Sequence, residues 1–281
     1  MEKTHIPAIL YHQVLSEDAK LANYTPKQGD PPSGQMFRTG FIQQMNYLVD
    51  QGFNAITHDH LYRWIKGQAQ IPPKPIIIDF DDHSVTSYQQ ALPVMRERSI
   101  IATMFVVSEW ADGDSIPSER TAHVPRMGWT QLKDLLDAGW EIAAHTRSHV
   151  FLDTIAQGPK GDAKIMDELA GSAADIQRAL GVKPRHFAYP GGAWNQPRHF
   201  TNPDLCWDQR REEMVKAVFL SARDFQWFGR AQYVTAQTDP YRLPTMNINH
   251  LLPFEQFKML VERTDPEFEY YPETRPNNSS P

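Results

Sequence analysis

Two stretches of this sequence end apolar runs in residues able to hold a metal and move a proton. The first, Ile76-Ile77-Ile78-Asp79-Phe80-Asp81-Asp82-His83, passes from three isoleucines into acid. Adjacent carboxylates at the end of a buried strand do not both ionise in a low-dielectric site unless a cation or a proton compensates them. A metal is the natural compensator, with one aspartate as ligand and the other left to act as a base. Alone, the pair reads equally as an Asx-type turn capping the next helix. The second stretch, Trp140-Glu141-Ile142-Ala143-Ala144-His145-Thr146-Arg147-Ser148-His149, tips the balance, because it ends another apolar run in two histidines four residues apart. One carboxylate and two imidazoles are a frequent protein share of an open catalytic Zn2+ site. Co2+ and Ni2+ suit the same donors, so the expected cofactor is a divalent metal with Zn2+ preferred.

Both stretches need rigid elements that deliver their last residues to one place. Pro7-Ala8-Ile9-Leu10-Tyr11 reads as a first strand with His12 at its end. Residues 22–35 and 109–126 carry no periodic pattern and read as long rim loops. Helical spacing appears at about Gly40–Gln51, His58–Lys66, Tyr88–Arg96, Trp129–Ala138, Asp167–Leu180 and Phe254–Val261. Between these lie the short apolar runs Phe53–Ile56, Ile76–Asp79, Ile101–Val107, Trp140–Ala144, Arg185–Ala188, Val215–Ser221 and Leu243–Asn249, read as strands. About seven strands alternating with helices, mostly apolar throughout, predict a parallel α/β architecture with the helices outside. In such barrels the working residues gather at the C-terminal ends of the strands. His12, Asp81, Asp82, His145, His149 and the glycine turn at Gly191 all fall there.

The 281 residues hold Lys+Arg 28 against Asp+Glu 34, a net charge of -6, with no basic stripe. That disfavours a nucleic-acid partner. The single cysteine, Cys206, excludes an internal disulfide and a thiolate metal cluster. No apolar run reaches the length of a transmembrane segment, and Met1-Glu2-Lys3-Thr4-His5 lacks the layout of a secretory signal. Two locations stay open, a cytoplasmic protein or an exported one whose leader has been removed. Residues 1–265 read as one domain, and 266–281, rich in Pro, Glu, Asn and Ser, as a poorly ordered tail. Nothing in the pattern speaks to oligomeric state.

In order along the chain, Phe80-Asp81-Asp82, His145-Thr146-Arg147-Ser148-His149 and Phe187-Ala188-Tyr189-Pro190-Gly191-Gly192 resemble the motifs of the metal-dependent polysaccharide deacetylases, carbohydrate esterase family four. The biofilm poly-N-acetylglucosamine deacetylase type is the nearest form, and Tyr11-His12-Gln13-Val14, Ala102-Thr103-Met104-Phe105-Val106 and Met127-Gly128-Trp129 match it too. The resemblance implies a distorted (β/α)7-type barrel, an N-acetylated glycan as substrate, and a periplasmic or extracellular setting. It makes Asp81 the general base and Asp82, His145 and His149 the metal ligands. It also puts backbone N–H near Gly191 at the oxyanion and His12, with His250 as runner-up, as the acid for the leaving amine. Tyr189 and Trp194, beside the glycine turn, are candidates for stacking on a sugar face.

Three positions depart from the family pattern. His83 stands where a glycine is usual, so its ring is expected to narrow the site or add a fourth ligand. Gly191 replaces a usual tyrosine, and Ala188 an arginine that orients the base in many members. Three functions are therefore carried forward: de-N-acetylation of a GlcNAc-containing glycan, deacylation of an O-acetyl ester or small N-acyl compound, and glycan binding by an inactive barrel.

Overall fold

The structure, a computed structural model, describes residues 4–18, 34–112, 125–192, 209–224, 229–265 and 267–270. The chain opens with β1 (Ala8–Tyr11), β2 (Gln13–Leu15), β3 (Gln35–Phe37), α1 (Arg38–Asp50), β4 (Asn54–Ala55), α2 (His58–Ile65) and β5 (Pro75–Asp81). It continues through α3 (Leu92–Glu97), β6 (Thr103–Val106), α4 (Trp129–Asp137), β7 (Glu141–Ala144), α5 (Pro159–Met166), α6 (Ser172–Leu180) and β8 (His186–Ala188). The last elements are α7 (Gln209–Val218), β9 (Ser221–Arg223), β10 (Gly229–Arg230), β11 (Met246–Asn247), α8 (Phe254–Glu262) and β12 (Glu269–Tyr270).

An eight-stranded sheet runs β11-β1-β5-β6-β7-β8-β9, with β4 added beside β5, and every pairing in it is parallel. A parallel bridge between Arg223 and Leu243, in the segment leading into β11, ties the far edge back to the near one. The sheet is thus a barrel, curled and closed by a minimal contact, in a single domain. Alternation along the strands sorts the side chains. Ile76, Ile78 and Phe80 of β5, Met104 and Val106 of β6 and Ile142 of β7 join the large core with the helices, among them Phe41, Leu132, Leu169 and Ile176. Asp79 and Asp81 of β5 and Arg223 of β9 are buried as well, on the other face of their strands.

One expected strand is a helix. The apolar run Val215–Ser221 predicts a strand, but Gln209–Val218 is helical and the strand is Ser221–Arg223. Short apolar runs do not distinguish the two. Here Lys216 reaches Glu212 at 2.8 Å and Glu213 at 3.4 Å, pairs that only helical spacing allows. Of the expected tail, Glu269–Tyr270 pairs antiparallel with Gly229–Arg230 and Phe268 is buried, while 266 and 271–281 lie outside the described residues. Among the described residues no helix is long and apolar enough to cross a membrane.

Two π-helical segments position the loops that matter. Ser87–Ala91 follows the Asp81-Asp82-His83 turn, and the Ser87 hydroxyl donates to the His12 carbonyl at 3.3 Å. Asp167–Gly171 joins α5 to α6 and places Glu168 against the loop after β7. The buried Glu168 carboxylate accepts from the Arg147 N–H (3.0 Å), the Ser148 N–H (2.9 Å) and the Ser148 hydroxyl (2.6 Å). Insertions of this kind re-aim side chains at functional sites. Glu168→Ala leaves those donors unmet, a cost of about 2 kcal/mol, and at this size the expected fall in Tm is roughly 5 °C. Thermal unfolding checks it; an unchanged Tm would mean the loop holds itself.

Candidate active site

The site begins where β5 ends. Asp81 is the last residue of the strand, and Asp82 and His83 then take left-handed conformations, φ 67° and 36°. Asp and His are among the residues that tolerate this region. The reversal turns Asp82 away from the strand's alternation and toward the loop after β7. That loop carries its own left-handed residues, Thr146 (φ 62°) and His149 (φ 62°). For a β-branched threonine this is strained, and the Thr146 carbonyl is held by the Ser172 hydroxyl at 3.0 Å.

These turns bring one oxygen of Asp82 and one ring nitrogen each of His145 and His149 within 4.8 Å of one another. His149 Nε2 lies 3.4 Å and His145 Nε2 3.7 Å from Asp82 Oδ1. His145 Nδ1–H donates to the Ala188 carbonyl at 2.8 Å, which fixes the tautomer and leaves the Nε2 lone pair facing Asp82. Burial lowers the His149 pKa to about 4, against the pull of Asp82, so this ring is a neutral donor. Burial opposes ionisation of Asp82, but His149, Arg126 and His145 outweigh it and its pKa is lowered. Asp82 Oδ1 is buried without a hydrogen-bond partner. A carboxylate, two imidazole nitrogens and an orphaned buried oxygen fit a divalent ion.

Asp81 belongs to the same centre with a different environment. Arg223 Nη2 donates to its Oδ1. Its Oδ2 has no hydrogen-bond partner and lies 3.9 Å from His145 Nε2. Burial raises the Asp81 pKa, and Arg223, His145 and His12 bring it below the ordinary carboxylate value. His12 feels the same groups from the end of β1: burial lowers its pKa, and Asp81 and Asp82 oppose the shift. Its N–H donates to the Gly34 carbonyl at 3.1 Å. A Cβ on Gly34 would overlap the His12 ring, so a glycine is needed there.

Other expected residues fall elsewhere. Tyr189 is fully buried (0% exposed) in the core beneath the helices, edge-on to Phe187, so it offers no face to a sugar. It follows β8 directly and shares the core side with Phe187, so nearness in sequence to the glycine turn does not bring it to the site. Gly191 and Gly192 are left-handed, φ 63° and 64°, which explains the glycines there. Trp194 lies outside the described residues. His250 is tied to Gln35, through its N–H at 2.8 Å and Nδ1 at 3.2 Å, and packs on Phe37. His83 is not in the ligand group. Its ring is buried 6.2 Å from that of Trp110, and burial with Arg126 pushes its pKa down to about 3.

The sequence reading passed over Arg223, Arg126, Trp110 and Glu168. Arg126 donates to the Asp82 carbonyl at 2.9 Å and stacks 4.6 Å from the Trp110 centroid, supporting the left-handed turn from outside. Ser221-Ala222-Arg223-Asp224, small residues ending in a charged pair, was the available signal for Arg223.

Comparison with known proteins places the chain among similar ones. The polysaccharide deacetylase family profile matches residues 68–200, which include Asp81, Asp82, His145, His149 and Gly191. YxkH of Bacillus subtilis is 23% identical over 191 residues, 68% of this chain and 58% of that protein, so the chain spans under two thirds of that relative. The poly-beta-1,6-N-acetyl-D-glucosamine N-deacetylase of Staphylococcus epidermidis is 22% identical over 285 residues, 94% of this chain and 84% of that one. The same fold occurs in Streptococcus pyogenes deacetylase PplD (TM-score 0.71, 16% identity, 92% of this chain and 99% of that one). It occurs also in IcaB from Ammonifex degensii (TM-score 0.67, 20% identity, 92% and 96%). With the ligand-competent cluster at the mouth of this barrel, the chain is similar over residues 68–200 to the polysaccharide deacetylase family.

Proposed function

We propose that this protein is a divalent-metal-dependent hydrolase that removes N-acetyl groups from a GlcNAc-containing glycan. The convergence of Asp82, His145 and His149 within 4.8 Å, with an unpartnered Asp81 oxygen beside them, carries this reading. A bound ion, Zn2+ by preference and Co2+ or Ni2+ by chemistry, supplies Lewis acidity toward water and the acetyl carbonyl. Asp82 Oδ1, His145 Nε2 and His149 Nε2 are the atoms that would hold it.

The chain's own groups do the proton work. Asp81, with Oδ1 engaged by Arg223, takes the proton of the attacking water on Oδ2. The Gly192 N–H is donated to the Tyr189 carbonyl at 3.0 Å, so the Gly191 N–H is the backbone donor at this turn for the negative charge developing on the acetyl oxygen, where a fixed donor helps most. His12 gives a proton to the amine nitrogen as the C–N bond breaks, so that acetate and a free amino sugar leave. His12 is preferred to His250 because Asp81 and Asp82 act on it directly, whereas His250 is spent on Gln35. The His83 ring lies beside Trp110 rather than among the ligand atoms, which favours a working site over an inactive glycan-binding barrel.

Elemental analysis and acetate release from N-acetylglucosamine oligomers test the proposal together. About one equivalent of metal per chain is expected, with Asp82→Ala and His145→Ala losing it. Asp81→Asn keeps the metal and loses turnover. Retained metal and activity in Asp82→Ala would sink the assignment, and faster release from an acetyl ester than from the glycan would move it to an O-deacetylase. His12→Ala lowers kcat on the order of 100-fold with metal unchanged, and Gly34→Ala, by displacing the same ring, moves kcat the same way. If His250→Ala is the damaging change instead, the proton comes from the other side.

A further inference from the structure

Among Asp79, Asp81 and Asp82, the proposed chemistry gives Asp79 no task. It lies two residues before Asp81 on the same face of β5 and is wholly buried (0% exposed), where an ionised carboxylate must be compensated. Two groups reach it from distant elements. His58, the first residue of α2 behind the Thr57 cap, brings Nε2–H to 2.9 Å from Oδ1. Arg223, itself 1% exposed, sets Nε 3.2 Å from Oδ2, an ion pair rather than an aligned hydrogen bond. The far end of that guanidinium, Nη2, donates to Asp81 Oδ1. Phe105 supports both partners, with the guanidinium stacked 4.4 Å from its centroid and the His58 ring edge-on at 5.3 Å.

The geometry decides how much of Asp81 the arginine can take. A free guanidinium prefers a two-pronged grip on a carboxylate. That grip on Asp81 would engage Oδ2, the oxygen left to accept the proton. With Nε drawn to Asp79, only the Nη2 end meets Asp81, and it meets one oxygen. We infer that Asp79, seated by His58, is a positioning residue that confines Arg223 to Oδ1 of Asp81 and so keeps Oδ2 open as the base. The inference rests on the reading of Asp81 as that base.

Asp79→Asn removes the charge that draws Nε and keeps the shape. The expected result is a fall in kcat on the order of 10-fold, with KM and metal per chain unchanged. In an Arg223→Met background the same change has nothing to act through, so the double variant should match Arg223→Met alone. His58→Gln, which keeps a donor for Asp79, should retain more kcat than His58→Phe. Losses that multiply in the double variant, or an unchanged kcat in Asp79→Asn, would overturn the inference. The Arg223 Nε–H NMR signal, assigned by its loss in Arg223→Met or Arg223→Lys, gives a reading without turnover. It should shift and exchange faster in Asp79→Asn, and an unaltered signal overturns the positioning role. Absence of acetate release by the parent chain counts against the proposed function alone, because the NMR result stands apart from it.

Discussion

Burying three carboxylates at the end of one strand is the constraint on which the rest of this site depends. Asp79, Asp81 and Asp82 are all buried, and an unpaired ion in such surroundings costs several kcal/mol. Each is met from a different part of the barrel: Asp79 by His58 and Arg223, Asp81 by Arg223, and Asp82 by Arg126, with the ring nitrogens after β7 facing it. Since β9, β7 and α2 must all be in place for this, the charge arrangement and the barrel are one cooperative object. The difference between the neighbours Asp81 and Asp82 comes from the same source. One is engaged on Oδ1 by a fixed guanidinium, and the other faces two imidazole nitrogens.

Backbone strain is concentrated where the candidate ligands are. Asp82, His83, Thr146 and His149 all have positive φ, and such residues persist only where the surroundings over-determine them. The supports are visible: Arg126 on the Asp82 carbonyl, Ser172 on that of Thr146, and Glu168 beneath Arg147 and Ser148. A regular strand end would send Asp81 and Asp82 to opposite faces. The left-handed turn brings Asp82 back to the side on which Asp81 acts. His83 continues that turn, and a glycine would adopt its φ of 36° with less strain. Its buried ring fills space beside Trp110.

The hydrogen bond from His145 to Ala188 links the loop after β7 to the next strand, so the glycine turn after β8 is held in register with the candidate metal ligands. His12 is anchored similarly, with its carbonyl on Ser87 and its N–H on Gly34. The groups proposed as base, ligands and proton donor thus share one rim, the condition under which positioned groups lower a barrier most.

The sequence by itself determined the alternation of buried strands and helices, and with it the barrel, because apolar periodicity is a local property. It also determined which residues stand at strand ends, so Asp81, Asp82, His145, His149 and His12 were legible from acid or imidazole terminating an apolar run. Only the tertiary structure decided partners distant along the chain. Arg223 meets Asp81 across 142 residues and His58 meets Asp79 across 21, and neither pairing leaves a periodic trace. Facing was also decided there, since Tyr189 lies beside the glycine turn in sequence yet points outward into the core. The Val215–Val218 helix was hidden for a related reason: four apolar or mixed residues fit either period until neighbouring charges show which is in use. Local pattern records what a residue can bury, and the closing of the barrel determines what it is buried against.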